Sequence, residues 1–74
     1  MEKNGLEISF GLRCRQLRHR SGLSQEKFAA SIGMDRSYYA SIETGLRNVT
    51  LLNMNKIACG FGISLSELLT GVTA

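Results

Sequence analysis

The residues best suited to chemistry lie between Arg36 and Thr44, where Arg36, Ser37, Tyr38, Ser41 and Thr44 recur at helical spacing. At about 100° per residue, Tyr39 and Ile42 turn to one side of such a helix and Ser37, Ser41 and Thr44 to the other, with Arg36 and Tyr38 on the flanks. Hydroxyl groups beside one guanidinium are tools for recognising hydrogen-bonding edges. An arginine can hold guanine O6 and N7 through two hydrogen bonds, a contact worth about 1 to 3 kcal/mol of discrimination, so Arg36 ranks first as a base-reading residue. The alternative for Arg36 is a surface ion pair with Asp35 or Glu43. Tyr38 suits a thymine methyl or a phosphate, or else folds its ring against Ile42. Ser37 and Ser41 can hydrogen-bond several bases, so they fit a groove more than they discriminate within it.

Reaction chemistry has no comparable constellation. The single histidine, His19, is five residues from Cys14, so the two do not share a helical face. There is no paired-carboxylate site, no glycine-rich phosphate loop and no C-x-x-C spacing. Catalysis, a metal, a cofactor and a small-molecule ligand are therefore not expected. The formal net charge is +3. It is uneven: Arg13, Arg15, Arg18, Arg20, Lys27, Arg36 and Arg47 face only Glu26, Asp35 and Glu43 over the same stretch. Such a stretch suits a polyanion, or is an ordinary solvated surface. No apolar run reaches the roughly 18 residues that cross a membrane, and Met1-Glu2-Lys3-Asn4-Gly5 does not lead into a signal-peptide apolar region, so a cytoplasmic location is expected.

The elements that must position these residues are short helices. With 74 residues and no proline, the chain is read as one domain, 1–74, with a small core that association with a second copy would help. Ser24, Asp35, Thr50 and Ser64 each offer a side-chain oxygen to cap a helix start. At each, one apolar residue precedes the cap and another follows four later: Leu23 with Phe28, Met34 with Tyr39, Val49 with Met54, Ile63 with Leu68. Ser64 also has Glu67 three residues on, a capping box. Glycines 22, 33, 45, 62 and 71 close the segments. The pattern predicts an all-α fold of five helices near 8–21, 25–32, 36–44, 51–60 and 65–70. Phe10, Cys14, Leu17 and Ser21 line one face of the first, and Leu51, Met54, Ile57, Ala58 and Phe61 form the inward stripe of the fourth. Cys14 and Cys59 are both expected inward, as reduced thiols.

The second and third helices are separated only by Gly33, Met34 and Asp35, too short a turn for them to lie antiparallel, so they must cross steeply, with Ala29 small enough for the contact. This predicts a helix-turn-helix over about 24–45; a plain helical hairpin would use the same residues. The segment Leu23-Ser-Gln-Glu-Lys-Phe-Ala-Ala-Ser-Ile-Gly33, followed by Asp35-Arg-Ser-Tyr-Tyr-Ala-Ser-Ile-Glu-Thr-Gly45, resembles the lambdoid phage repressor and Cro (XRE) family of helix-turn-helix regulators. Arg15-Gln-Leu-Arg18, Lys56-Ile-Ala58 and Gly62-Ile-Ser-Leu-Ser-Glu-Leu-Leu69 extend the resemblance over nearly the whole chain. Within that family, Asp35-Arg-Ser-Tyr-Tyr with Arg47-Asn-Val-Thr50 is most similar to controller proteins of restriction-modification systems.

The resemblance implies a lambda-repressor-like domain that recognises a double-stranded DNA operator. It implies that Gln25 grips a phosphate, consistent with an anion at a helix N-terminus, while Ser24 caps and assists. It also implies an internal ion pair between Arg18 and Glu43, and backbone or minor-groove contact from Arg47 and Asn48. Thr44, on the outward face by periodicity, is expected to contact the DNA backbone as well. The sequence departs from the common pattern at Val49, where proline is frequent, and at Tyr39, where a smaller aliphatic residue is usual. A looser loop and a third helix set slightly further from the core are the expected consequences.

One recognition helix spans few base pairs, so a homodimer presenting two of them about 34 Å apart is expected. Leu52 falls off the inward stripe of its helix, and with Leu65 and Leu69 it forms the expected dimer interface; for Leu69, completing the monomer core is the alternative. A regulator whose main partner is a protein, as in antitoxins, is the competing reading.

Overall fold

The computed structural model describes residues 4–74. Met1 to Lys3, the start of both the N-terminal reading and the 1–74 span, lie outside the described residues. The chain forms α1 (Gly5–Ser21), α2 (Gln25–Ser31), α3 (Arg36–Glu43), α4 (Leu51–Phe61) and α5 (Leu65–Leu68), and the described residues contain no strand. Five helices were expected, and all four anticipated caps form: Ser24, Asp35, Thr50 and Ser64 accept from the backbone N–H groups of Lys27, Tyr38, Asn53 and Glu67 at 3.0 to 3.1 Å. The Ser64 and Glu67 capping box is complete.

Two ends differ from expectation. The first helix starts at Gly5, where Asn4 caps the Glu7 N–H at 3.0 Å, rather than near Ile8. Its first turns expose Leu6 and Ile8, so apolar periodicity carries no sign of them. The last helix ends at Leu68, with Leu69 as its cap and Gly71 in the turn beyond.

Phe28 is the hub of the core. Its ring stacks on Phe61 at 4.1 Å between centroids and tilts against Tyr39 at 5.1 Å, so one side chain joins α2 to α3 and α4. Around it Phe10, Cys14, Ala29, Ile42, Ile57, Ala58 and Leu68 are buried. Leu23, Met34, Val49, Met54 and Ile63, the remaining members of the four staple pairs, pack against that cluster. Burial, and then the charge of Glu43, push the Cys14 thiol up to about 12, so it is a protonated hydrophobe.

Three inward assignments are corrected. Leu51 is 64% exposed, because as the first residue of α4 it overhangs the core edge. Cys59 is exposed, lying about 100° round the helix from the buried Ala58. Ser21, in the last turn of α1, is also exposed and donates to the Leu17 carbonyl.

The crossing of α1 on α3 depends on Gly11. A Cβ there would collide with the Ile42 carbonyl oxygen and lie 2.7 Å from that of Glu43, both backbone atoms with no rotamer to yield. Alanine is the better helix former by about 1 kcal/mol, yet overpacking costs about 1 to 3 kcal/mol and more where backbone must move. Gly11→Ala is therefore expected to lower the melting temperature by about 10 °C for a domain of this size, read by circular dichroism; an unchanged or raised melt would show that α1 can retreat freely.

Candidate nucleic-acid interface

The buried face of α3 is locked by charge as well as by packing. Glu43 accepts from Arg18 Nε at 2.7 Å and from Arg18 Nη2 at 3.0 Å, a two-pronged pair in which both side chains are buried. Arg18 Nη1 also donates to the Leu23 carbonyl at 2.9 Å, so one guanidinium ties α1 to α3 and to the segment leading into α2. Gln25 Nε2 donates to the same Glu43 oxygen at 3.0 Å, which orients the Gln25 side chain at the head of α2. Burial disfavours the Glu43 carboxylate, but hydrogen bonds from Arg18 and Gln25, with the Arg18 charge and the polar Tyr39 hydroxyl close by, outweigh it and hold the carboxyl below its ordinary range.

Tyr39, the departure from the aliphatic pattern, is fully buried against Phe28 rather than displaced. Its hydroxyl lies close enough to Glu43 to affect its ionisation, yet it makes no hydrogen bond of acceptable geometry.

The opposite face divides in two. At its N-terminal end Arg36 and Ser37 are exposed, and neither side chain has a hydrogen-bond or ion-pair partner among the described residues. The pairing of Arg36 with Asp35 or Glu43 therefore does not form: Asp35 caps Tyr38 and Glu43 holds Arg18. Further along, the hydroxyls are engaged. Ser41 Oγ donates to the Tyr38 carbonyl at 2.6 Å and accepts from Arg47 Nε at 2.8 Å, while Thr44 Oγ1 donates to the Ser41 carbonyl at 3.0 Å. Arg47 also lies over the Tyr38 ring, 5.3 Å from its centroid, and the Tyr38 hydroxyl accepts from Asn53 Nδ2 at 3.3 Å. Tyr38 is thus turned toward Arg47 and α4, and Arg47 is folded back along α3. Asn48, in the α3–α4 loop, and Ser24, the α2 cap, are exposed.

The basic stretch is less uniform than its sequence. Arg13 Nη2 and Nε donate to the Glu67 and Leu68 carbonyls at 2.8 and 3.2 Å, satisfying the open end of α5, so Arg13 and Arg18 are structural. Arg15, Arg20, Lys27 and Arg36 remain exposed.

A helix-turn-helix family model matches residues 15–68. The control protein C.MunI from a Mycoplasma species is 51% identical over 70 residues, covering 93% of this chain and 95% of the relative. The chain belongs to the helix-turn-helix family of control proteins. Among solved structures, the restriction-modification controller protein C.AhdI from Aeromonas hydrophila is 47% identical with a TM-score of 0.81, covering 84% of this chain and 94% of that one. A second, the controller protein C.Esp1396I solved as a tetramer with its natural 35 base-pair operator, is 25% identical with a TM-score of 0.82, covering 90% and 88%.

In this control protein no helix is long and apolar enough to cross a membrane, among the described residues. The three leucines assigned to an interface separate: Leu52 is 82% exposed, whereas Leu65 and Leu69 are half-buried against the core. Leu69 also lines a groove of about 290 Å³ with Leu6, Phe10, Val49, Met54 and Val72. The control protein's positioning groups Asn53 and Arg13 carried no sign in the sequence, since each acts on a partner 15 to 55 residues away.

Proposed function

We propose that this chain regulates transcription by binding a palindromic double-stranded DNA operator as a homodimer in the cytoplasm, with α3 laid in the major groove, as the controller of a restriction-modification system. The observation that carries the reading is the state of α3: one face clamped to α1 and α2 by Arg18 and Glu43, the other presenting an unpaired guanidinium at Arg36. A helix held that rigidly can place Arg36 and Ser37 on base edges without losing much freedom on binding. Tyr38 and Ser41 follow along the groove, with Arg47 released from Ser41 to a phosphate. Gln25, Ser24, Thr44 and Asn48 contact the backbone, fixing register without reading sequence. The relatives support this assignment, since C.Esp1396I was solved in complex with its natural operator.

Selection of duplexes from a random pool, followed by titration between about 50 and 200 mM salt, tests it. A preferred, inverted-repeat site whose affinity falls by orders of magnitude across that range is expected. No enriched site, or binding indifferent to salt, would instead favour a regulator that works mainly through a protein partner.

Leu52 anchors the dimer, with Leu65 and Leu69 contributing their exposed edges. Because Leu52 buries little in the monomer, Leu52→Glu should leave helicity intact while sedimentation shifts from twice the chain mass to a single chain mass. A variant that still sediments as a dimer places the interface elsewhere.

A further inference from the structure

Asn53, half-buried in the first turn of α4, donates through Nδ2 to the Tyr38 hydroxyl at 3.3 Å, the one side-chain hydrogen bond joining α3 to α4 among the described residues. Tyr38 is thereby held at both ends, by its backbone in α3 and by its hydroxyl on α4, and the plane of its ring is fixed. Arg47 lies over that ring, 5.3 Å from the centroid, and donates from Nε to Ser41 Oγ at 2.8 Å. Its two Nη groups have no hydrogen-bond or ion-pair partner among the described residues. The start of α4 does not need the Asn53 side chain, because Thr50 caps the Asn53 N–H at 3.1 Å.

We infer that Asn53 is a positioning residue for Arg47: by fixing the Tyr38 ring it builds the flat seat from which the Nη groups of Arg47 reach a DNA phosphate, and it does so without touching DNA itself. On binding, Arg47 gives up Ser41 and keeps the ring. A guanidinium over an exposed aromatic face is favoured about two- to fivefold over one left in water. A long side chain ordered in advance also loses less freedom when it binds. Asn53 thus sets how much of the Arg47 contact is realised as affinity, and this rests on the phosphate contact proposed for Arg47.

Nuclear magnetic resonance of the free protein tests the seat without DNA. The ring current of Tyr38 should shift the Arg47 side-chain protons upfield in the parent, and Asn53→Ala should remove most of that shift while the melting temperature changes little. Shifts that stay in place in Asn53→Ala would mean that the ring holds its position unaided, and would overturn the inference. On the selected operator, Asn53→Ala should raise Kd about two- to fivefold per subunit, or about four- to twenty-five-fold for the dimer. In an Arg47→Ala background the same change should add little, since no guanidinium remains to be seated. An equal loss without Arg47 would mean that Asn53 contacts DNA directly, and tighter binding by Asn53→Ala would mean that the ring holds Arg47 back; either result overturns the inference. If Arg47→Ala itself leaves Kd and the salt slope unchanged, the phosphate contact fails and the inference with it, although the shifts still report whether Asn53 orients the ring.

Discussion

Glu43→Ala is expected to lower the melting temperature by about 15 °C or more. The substitution leaves Arg18 buried with only the Leu23 carbonyl to satisfy it. Removing one partner of a buried pair costs about 3 to 5 kcal/mol, because the other charge stays in place without compensation. Domains have about 5 to 15 kcal/mol in total, and small ones sit at the lower end, so much of the margin disappears. Circular dichroism melts check this, with Glu43→Gln as the control that keeps an acceptor for Arg18 and should lose less. A Glu43→Ala melt within a few degrees of the parent would show that packing of Phe28 and Tyr39 alone holds α3.

The same pair sets an acid limit. Glu43 ionises more readily in the folded chain than at its ordinary value of 4.5, so below that value the unfolded chain takes up the proton first. Its contribution to stability is therefore complete above about pH 4.5 and is lost as pH falls through the lower folded value. Melting temperature should fall on acidification over that window in the parent, and fall less steeply in Glu43→Gln.

Arg36→Ala carries the largest expected effect on binding. Each half-site loses one bidentate guanine contact worth about 1 to 3 kcal/mol, and the dimer has two, so affinity for the selected operator should drop about a hundredfold or more. Random duplex should lose only the small share due to two positive charges, one from each subunit, and the salt slope should change little. Arg36 is exposed and has no ion-pair partner among the described residues, so the melt should not move. Arg36→Lys should not restore specificity, since an ammonium cannot present the two parallel donors. Equal losses on selected and random duplexes would remove Arg36 from base reading.

Much of this architecture is written locally. Capping oxygens, the staple spacing and the closing glycines each act within about five residues, so helices α2 to α5 and the α2–α3 turn were legible from the chain alone. The buried face of α3 was legible for the same reason, because helical periodicity assigns Tyr39 and Ile42 to one side whatever they pack against. The start of α1 was not, since its cap is a lone Asn4 and its first apolar residues remain exposed.

What sequence alone determined is therefore the set of helices, the face each one buries and the family to which the pattern belongs. Only tertiary structure decided which polar side chains remain free. Arg13, Arg36 and Arg47 look alike in one dimension, but one closes α5, one stands open and one lies across Tyr38. The physical reason is range: caps and periodicity are satisfied by near neighbours in the chain, whereas a guanidinium or hydroxyl is spent on whichever acceptor the fold brings beside it.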